Sequence, residues 1–188
     1  SKRIVIKIGS SIVTKNGNGI DNVLLKNIVD QIAKLVAKKK EIVLVSSGAI
    51  AAGLKKLGYK DRPKELSVLR AAASVGQIIL ARIYEQLFSK SGLTSSLILL
   101  THDDLSMKKS YLNARSTISN LIDQNIVPVI NENDTVADDE IRFGDNDTLA
   151  AMVANLIEAD YLVLLTDQTG LFSDDPRKNK KTNLIQHA

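Results

Sequence analysis

The chain of 188 residues has no cysteine, no tryptophan and only two histidines, His102 and His187. Without cysteine there is no disulfide, no thiolate metal site and no cysteine nucleophile, and nothing ties the fold to an oxidising compartment. Two histidines are too few for an ordinary zinc site or a histidine-based triad. Aromatic residues make up 4% of the chain, and the net charge of +4 is modest. Nucleic-acid surfaces combine basic stripes with stacking rings. Neither is present, so no nucleic-acid partner is expected. The densest basic run, Lys38 to Lys40, closes a helical pattern, where cations complement the helix dipole. The apolar stretch near the start is short, Lys7 interrupts it, and no cleavage pattern follows, so it does not read as a signal peptide. No run approaches about 18 apolar residues, and no membrane span is expected. The expected location is the cytoplasm.

What is present is alternation. Short β-branched runs at Arg3 to Ile8, Glu41 to Val45, Ser95 to Leu100, Ile126 to Ile130 and Tyr161 to Leu165 read as strands. Between them lie helical patterns. Asp21 caps one that reaches about Lys40, and Gly48 to Leu57 forms a short one. Pro63 opens a long one with Leu66, Leu69, Ala73, Gly76, Ile79, Leu80, Ile83 and Leu87 facing the core, and Gly92 closes it. Ser110 to Gln124 and Asp147 to Ala159 are two more, and Ile141 to Phe143 reads as a small hairpin arm. Strands that are apolar throughout and separated by helices make a parallel sheet covered on both faces. The fold class expected is a three-layer α/β/α sandwich with a mainly parallel central sheet.

Ligands in such sheets bind beyond the carboxyl ends of the strands. The residues there are Lys7 to Ser11, Ser46 to Ala49, Asn131 to Asp134, Gly144 to Asp147 and Thr166 to Gly170. Glycines, small residues, one lysine, carboxylates and amides suit a charged small molecule beside a phosphate. Each piece also has a plainer explanation. Gly9-Ser10 is a common turn, and Ser47-Gly48 at a helix start is a cap as readily as an anion site. Asp145 to Asp147 would serve as a solvated loop with an N-cap. Lys7 could run its ammonium out to water, but inside Ile4-Val5-Ile6-Lys7-Ile8 a buried charge needs an anion beside it. Familiar phosphate signatures are missing. Gly53 to Gly58 has P-loop spacing, but Tyr59 stands where lysine is needed, and Gly17-Asn18-Gly19 lacks the third glycine of a dinucleotide fingerprint.

The combination resembles the amino acid kinase family. The matching stretches are Val5-Ile6-Lys7-Ile8-Gly9-Ser10-Ser11, Val45-Ser46-Ser47-Gly48-Ala49-Ile50-Ala51-Ala52-Gly53 and Asn125 to Asp134. Gly144-Asp145-Asn146-Asp147, Leu164 to Leu171, Leu112 to Arg115 and Asp174 to Arg177 fit as well. The resemblance implies the amino acid kinase fold over 1–188, comprising the amino-acid-binding portion and the start of the nucleotide-binding portion. It implies ATP-dependent phosphorylation, with Mg²⁺, of the γ-carboxylate of L-glutamate, the first step of proline synthesis. By the same resemblance Lys7 binds the transferring phosphoryl group and Asp147 orients the cationic groups there. Ser47, Asp134 and Asn146 hold glutamate, Thr166 and Asp167 line the nucleotide side, and Gly9 and Ser10 offer backbone donors to phosphate. No protein-built metal site is implied. Proline as a feedback inhibitor and assembly into homodimers or homotetramers follow from the resemblance too. Family members continue past the equivalent of Ala188 with a glycine-rich loop and a second lysine, so a longer chain is expected. Two alternatives stay open: a sister kinase acting on acetylglutamate or aspartate, and a non-catalytic amino-acid-binding module.

Overall fold

The computed structural model describes residues 2–15, 19–137, 146–167, 170, 172–173 and 182–185. Among these, five strands form one sheet: β1 (Arg3–Ile8), β2 (Glu41–Val45), β3 (Thr94–Leu100), β4 (Ile126–Glu132) and β5 (Tyr161–Leu165). Their order is β3-β4-β2-β1-β5, and every pair is parallel. The helices between them are α1 (Ser10–Val13), α2 (Asn22–Ala37), α3 (Ala49–Lys56), α4 (Leu66–Lys90), α5 (His102–Ser106), α6 (Lys108–Asp123) and α7 (Asp147–Leu156).

Side chains alternate across each strand, and the two faces carry separate cores. Ile6, Ile8, Ile42, Leu44, Val127 and Val129 face α2 and α4, where Leu25, Ile28, Val29, Ile32, Leu80, Tyr84 and Phe88 close over them. Val5, Val43, Val45 and Ile130 face α6 and α7, against Ile118, Ile122, Leu149, Val153 and Leu156. Continuous apolar strands are what a sheet buried on both faces requires. The edge strand β5 differs: Tyr161, Leu162, Val163 and Leu164 are 49%, 37%, 40% and 44% exposed.

Strands β1, β2 and β5 and the Asp21 cap fall where the sequence places them; the Asp21 side chain accepts from the Leu24 N–H at 3.0 Å. Several boundaries move. The long helix begins at Leu66 rather than Pro63, and its N-cap Glu65 makes no side-chain cap bond. Its buried stripe includes Ala72, Gln77, Tyr84 and Phe88, whereas Ile79, Ile83 and Leu87 are only half-buried. α7 ends at Leu156, before Ala159. β4 extends through Asn131 and Glu132. α1 and α5 are additions. α5 is signalled by a capping box, in which Thr101 and Asp104 exchange bonds with each other's backbone N–H. The hairpin arm at Ile141 to Phe143 lies outside the described residues. By length and composition α4 is apolar enough to cross a membrane, unlike the run-length reading. Its packing is that of a core helix, with Leu69, Ala73, Leu80, Tyr84 and Phe88 buried against α3 and the sheet.

α3 and α4 meet backbone to backbone. A Cβ at Gly53 would sit 1.7 Å from the Ala72 carbonyl oxygen, and one at Gly76 would sit 1.7 Å from that of Ala49. No other residue fits at either position without moving a helix.

Candidate active site

A parallel sheet puts the ends of β1, β2, β4 and β5 on one edge. Lys7 lies on the α7 face of β1, in step with Val5. It is 5% exposed, and its Nζ is 2.6 Å from Asp147 Oδ1. The ammonium therefore does not run out to water. It stays inside because a carboxylate stands beside it, as burial of a charge requires. Asp147 is the first residue of α7, where the dipole also favours an anion, and its side chain is 44% exposed. The pair joins a buried cation to a carboxylate that reaches solvent.

β2 runs into Ser46-Ser47-Gly48 before α3. Gly48 has φ of +92°, and a Cβ there would lie 3.0 Å from Thr14 Cγ2, so both conformation and space call for glycine. The simple capping explanation of Ser47 fails, because the α3 N-terminus has no side-chain cap bond. Ser47 Oγ is instead buried without a hydrogen-bond partner among the described residues. A buried hydroxyl left unpaired costs about 1–3 kcal/mol, and a bound ligand would relieve that cost. Ser46 is held from below: its Oγ is 2.9 Å from Tyr84 Oη, and burial pushes the Tyr84 hydroxyl up to about 12 against the lowering effect of that bond.

Beside these lies a buried run of amides. Asn146 Nδ2 donates to the Ser46 carbonyl at 2.6 Å and to Asn131 Oδ1 at 2.7 Å. Asn131 Nδ2 donates to Gln77 Oε1 at 3.0 Å, and Gln77 Nε2 to the Glu132 carbonyl at 2.9 Å. A cleft of about 540 Å³ opens above, lined by Ser47, Asn131, Asp134, Asn146, Asp167 and Arg62 among others. Burial raises the Asp134 carboxyl to about 6, and the positive charge of Arg62 works in the opposite direction. Such a carboxylate gains from a cation brought next to it.

Ser47, Asp134, Asn146 and Asp167 thus share one cleft, with the Lys7–Asp147 pair at the same sheet edge. Thr166 and Asp167 follow β5 and are exposed, and Thr166 Oγ1 contacts Asp167 Oδ1 at 3.5 Å. The expectation for Gly9 needs correction: its N–H donates to the Leu165 carbonyl at 3.0 Å, so it is committed to the sheet. Ser10, next in the chain, opens α1, where a first-turn N–H has no intrahelical acceptor. Gly144, Asp145 and Asp174 to Arg177 lie outside the described residues. His102 is 3.8 Å from Glu132, on the far side of β4 from the amides. Gln77 and Tyr84 are the supporting residues that sequence reasoning passed over. Their signal was a polar and a semi-polar residue on the apolar stripe of α4, seven positions apart.

An amide-lined cleft with a buried lysine–aspartate pair at the same sheet edge suits a small charged molecule. Residues 2–188 match the amino acid kinase family, and the chain belongs to it. Over its whole length it is 59% identical to the glutamate 5-kinase of Nitrosospira multiformis and 55% identical to that of Burkholderia cenocepacia. Over 185 residues it is 58% identical to the glutamate 5-kinase of Nitrosomonas eutropha. The chain spans about half the length of these curated relatives, 50% in each case.

Proposed function

We propose that this chain supplies the amino-acid-binding half, and the start of the nucleotide-binding half, of a kinase that phosphorylates L-glutamate. The reaction moves the terminal phosphoryl group of ATP to the γ-carboxylate and yields L-glutamyl 5-phosphate, the opening step of proline synthesis. The relatives' activity as glutamate 5-kinases supports this reading. So does one observation above all: an unpaired buried Ser47 hydroxyl and a burial-raised Asp134 carboxyl share a cleft whose sheet edge also carries a buried Lys7–Asp147 pair. The site asks for a ligand with both an anionic and a cationic end, close to a second anion.

The chemistry needs little covalent help. A carboxylate is already ionised at neutral pH, so no general base is required. One γ-carboxylate oxygen attacks the terminal phosphorus, the bond from that phosphorus to the bridging oxygen breaks, and ADP leaves. The protein's task is alignment and charge neutralisation. In this reading Lys7 stabilises the transferring group and Asp147 holds the lysine in place. Asp134 and Asn146 take the α-ammonium, Ser47 donates to a carboxylate, and Thr166 and Asp167 border the nucleotide. Mg²⁺ bound with the phosphates would neutralise charge, and it is commonly held by one or two carboxylates. The described residues offer it single carboxylates rather than a cluster of three or more ligands.

Proline shares the α-carboxylate and a protonated α-nitrogen, and would compete for the same end of the cleft. A homodimer or homotetramer and a cytoplasmic location belong to the same reading. Free glutamate is favoured over its acetylated relative because acetylation removes the charge that Asp134 would meet. The test is a hydroxylamine trap on full-length protein with ATP. The expected result is hydroxamate that depends on L-glutamate. Equal trapping with acetylglutamate or aspartate would point to a sister kinase. Glutamate binding with neither hydroxamate nor ADP would point to a binding module.

A further inference from the structure

We propose that Gln77, in the middle of α4, is a positioning residue for the acceptor site: acting through Asn131, it locks the Asn146 amide with its oxygen toward the cleft, so that the ligand must offer a hydrogen-bond donor there. The inference rests on the amino-acid-binding reading above and adds the reason for its selectivity.

Three backbone groups fix which way the amides point. The Glu132 carbonyl can only accept, so the group facing it at 2.9 Å is the Gln77 NH₂, and Gln77 Oε1 is left to face Asn131. The Asn131 atom 3.0 Å away must then be its NH₂. The Glu132 N–H can only donate, and it meets Asn131 Oδ1 at 2.9 Å, which agrees. Asn131 Oδ1 also accepts from Asn146 Nδ2, whose second N–H goes to the Ser46 carbonyl at 2.6 Å. Both N–H groups of Asn146 are therefore spent inside the protein. Its Oδ1 is the polar atom left for the cleft that Asn146 lines. Reversing any amide in the run would set donor against donor or acceptor against acceptor. Gln77, Asn131 and Asn146 are 6%, 2% and 8% exposed, so water is poorly placed to repair such a fault. An acceptor beside the Asp134 carboxylate favours an ammonium and opposes a ligand that brings a carbonyl or carboxylate to the same spot.

Gln77→Met keeps length and burial but removes the acceptor for Asn131 Nδ2. In full-length protein, Gln77→Met should raise KM for L-glutamate about tenfold or more, the cost of one unsatisfied buried donor. KM for ATP and kcat should stay within about threefold. In the ligand-free parent, NMR should show the Asn131 and Asn146 side-chain NH₂ protons exchanging slowly with solvent. That measurement needs neither a variant nor turnover, so it reads the amide run even if L-glutamate is not the substrate. A folded Gln77→Met protein with unchanged L-glutamate KM would overturn the proposal. So would rapid exchange of those amide protons in the parent.

Discussion

Lys7 stands inside a strand that is otherwise apolar, with its Nζ 2.6 Å from Asp147 Oδ1. Lys7→Met removes one member of that pair and leaves the buried Asp147 Oδ1 facing an apolar side chain. Removing one partner of a buried pair is destabilising, less so where the other side chain is 44% exposed, so a lower Tm is expected. Turnover also loses a preorganised charge, and kcat should fall about 10²–10³-fold with L-glutamate KM little changed. A steady-state assay paired with a thermal melt checks both. Asp134 makes a second prediction, with the opposite sense from a salt-bridged acid. Its folded value, about 6, lies above that of an ordinary aspartate because burial disfavours the charge. The stability it contributes is present below about pH 4 and is lost as pH rises through 6. Asp134→Asn should thus melt higher than the parent by a wider margin at pH 7 than at pH 4.5. Affinity for L-glutamate should strengthen over the same rise, since the ammonium needs the ionised form. Calorimetry near pH 6 in two buffers should show proton release on binding. Lys7 was legible in the sequence because a charge in an apolar run is an anomaly. Gln77 was not, because its partner Asn131 lies 54 positions away and no local pattern joins them.

At the scale of elements, the site depends on how closely α3 and α4 approach. Gly53 and Gly76 let the two backbones touch, and α4 then carries Gln77 and Tyr84 under the ends of β4 and β2. Gly76→Ala should push the helices apart. Overpacking of this kind typically costs about 1–3 kcal/mol, and for a domain of this size each kcal/mol lowers Tm by about 2–4 °C. L-Glutamate KM should rise with it, because Gln77 moves when α4 moves, while Gly92→Ala, strained at a φ of +72° but with open space around its Cβ and away from the cleft, should cost stability and leave KM unchanged. Titrations of the two variants beside the parent would separate these effects. The strands were legible because β-branched runs without polar interruption admit few other arrangements. The start of α4 was not, since Pro63 is an equally good helix opener and the loop before it decides the matter. α1 and α5 are one-turn and short elements whose spacing is too brief to show a period, although the Thr101–Asp104 box was there to be read.

Across the described residues, the sheet is covered on both faces, and cover is thinnest along the edge strand β5. The apolar residues of β5 are roughly 40–50% exposed, and an uncovered apolar edge strand is a template for pairing with another chain. Leu164→Lys should lower the tendency of the 188-residue chain to self-associate with little loss of Tm, and light scattering across a concentration series would show it. The two-sided core and a mainly parallel sheet could be read from composition and alternation, but the order β3-β4-β2-β1-β5 could not, because apolar strands of similar length carry no mark of their neighbours. That order has a consequence for the making of the protein. Arg3, at the start of β1, bonds both to Glu41, 38 positions on, and to Asp160, 157 positions on. At a synthesis speed of about 5–20 residues per second, the first strand leaves the ribosome roughly 8–30 s before its last neighbour. For that interval Lys7 has no Asp147 beside it, and the nascent chain must shelter an open hydrophobic flank by other means.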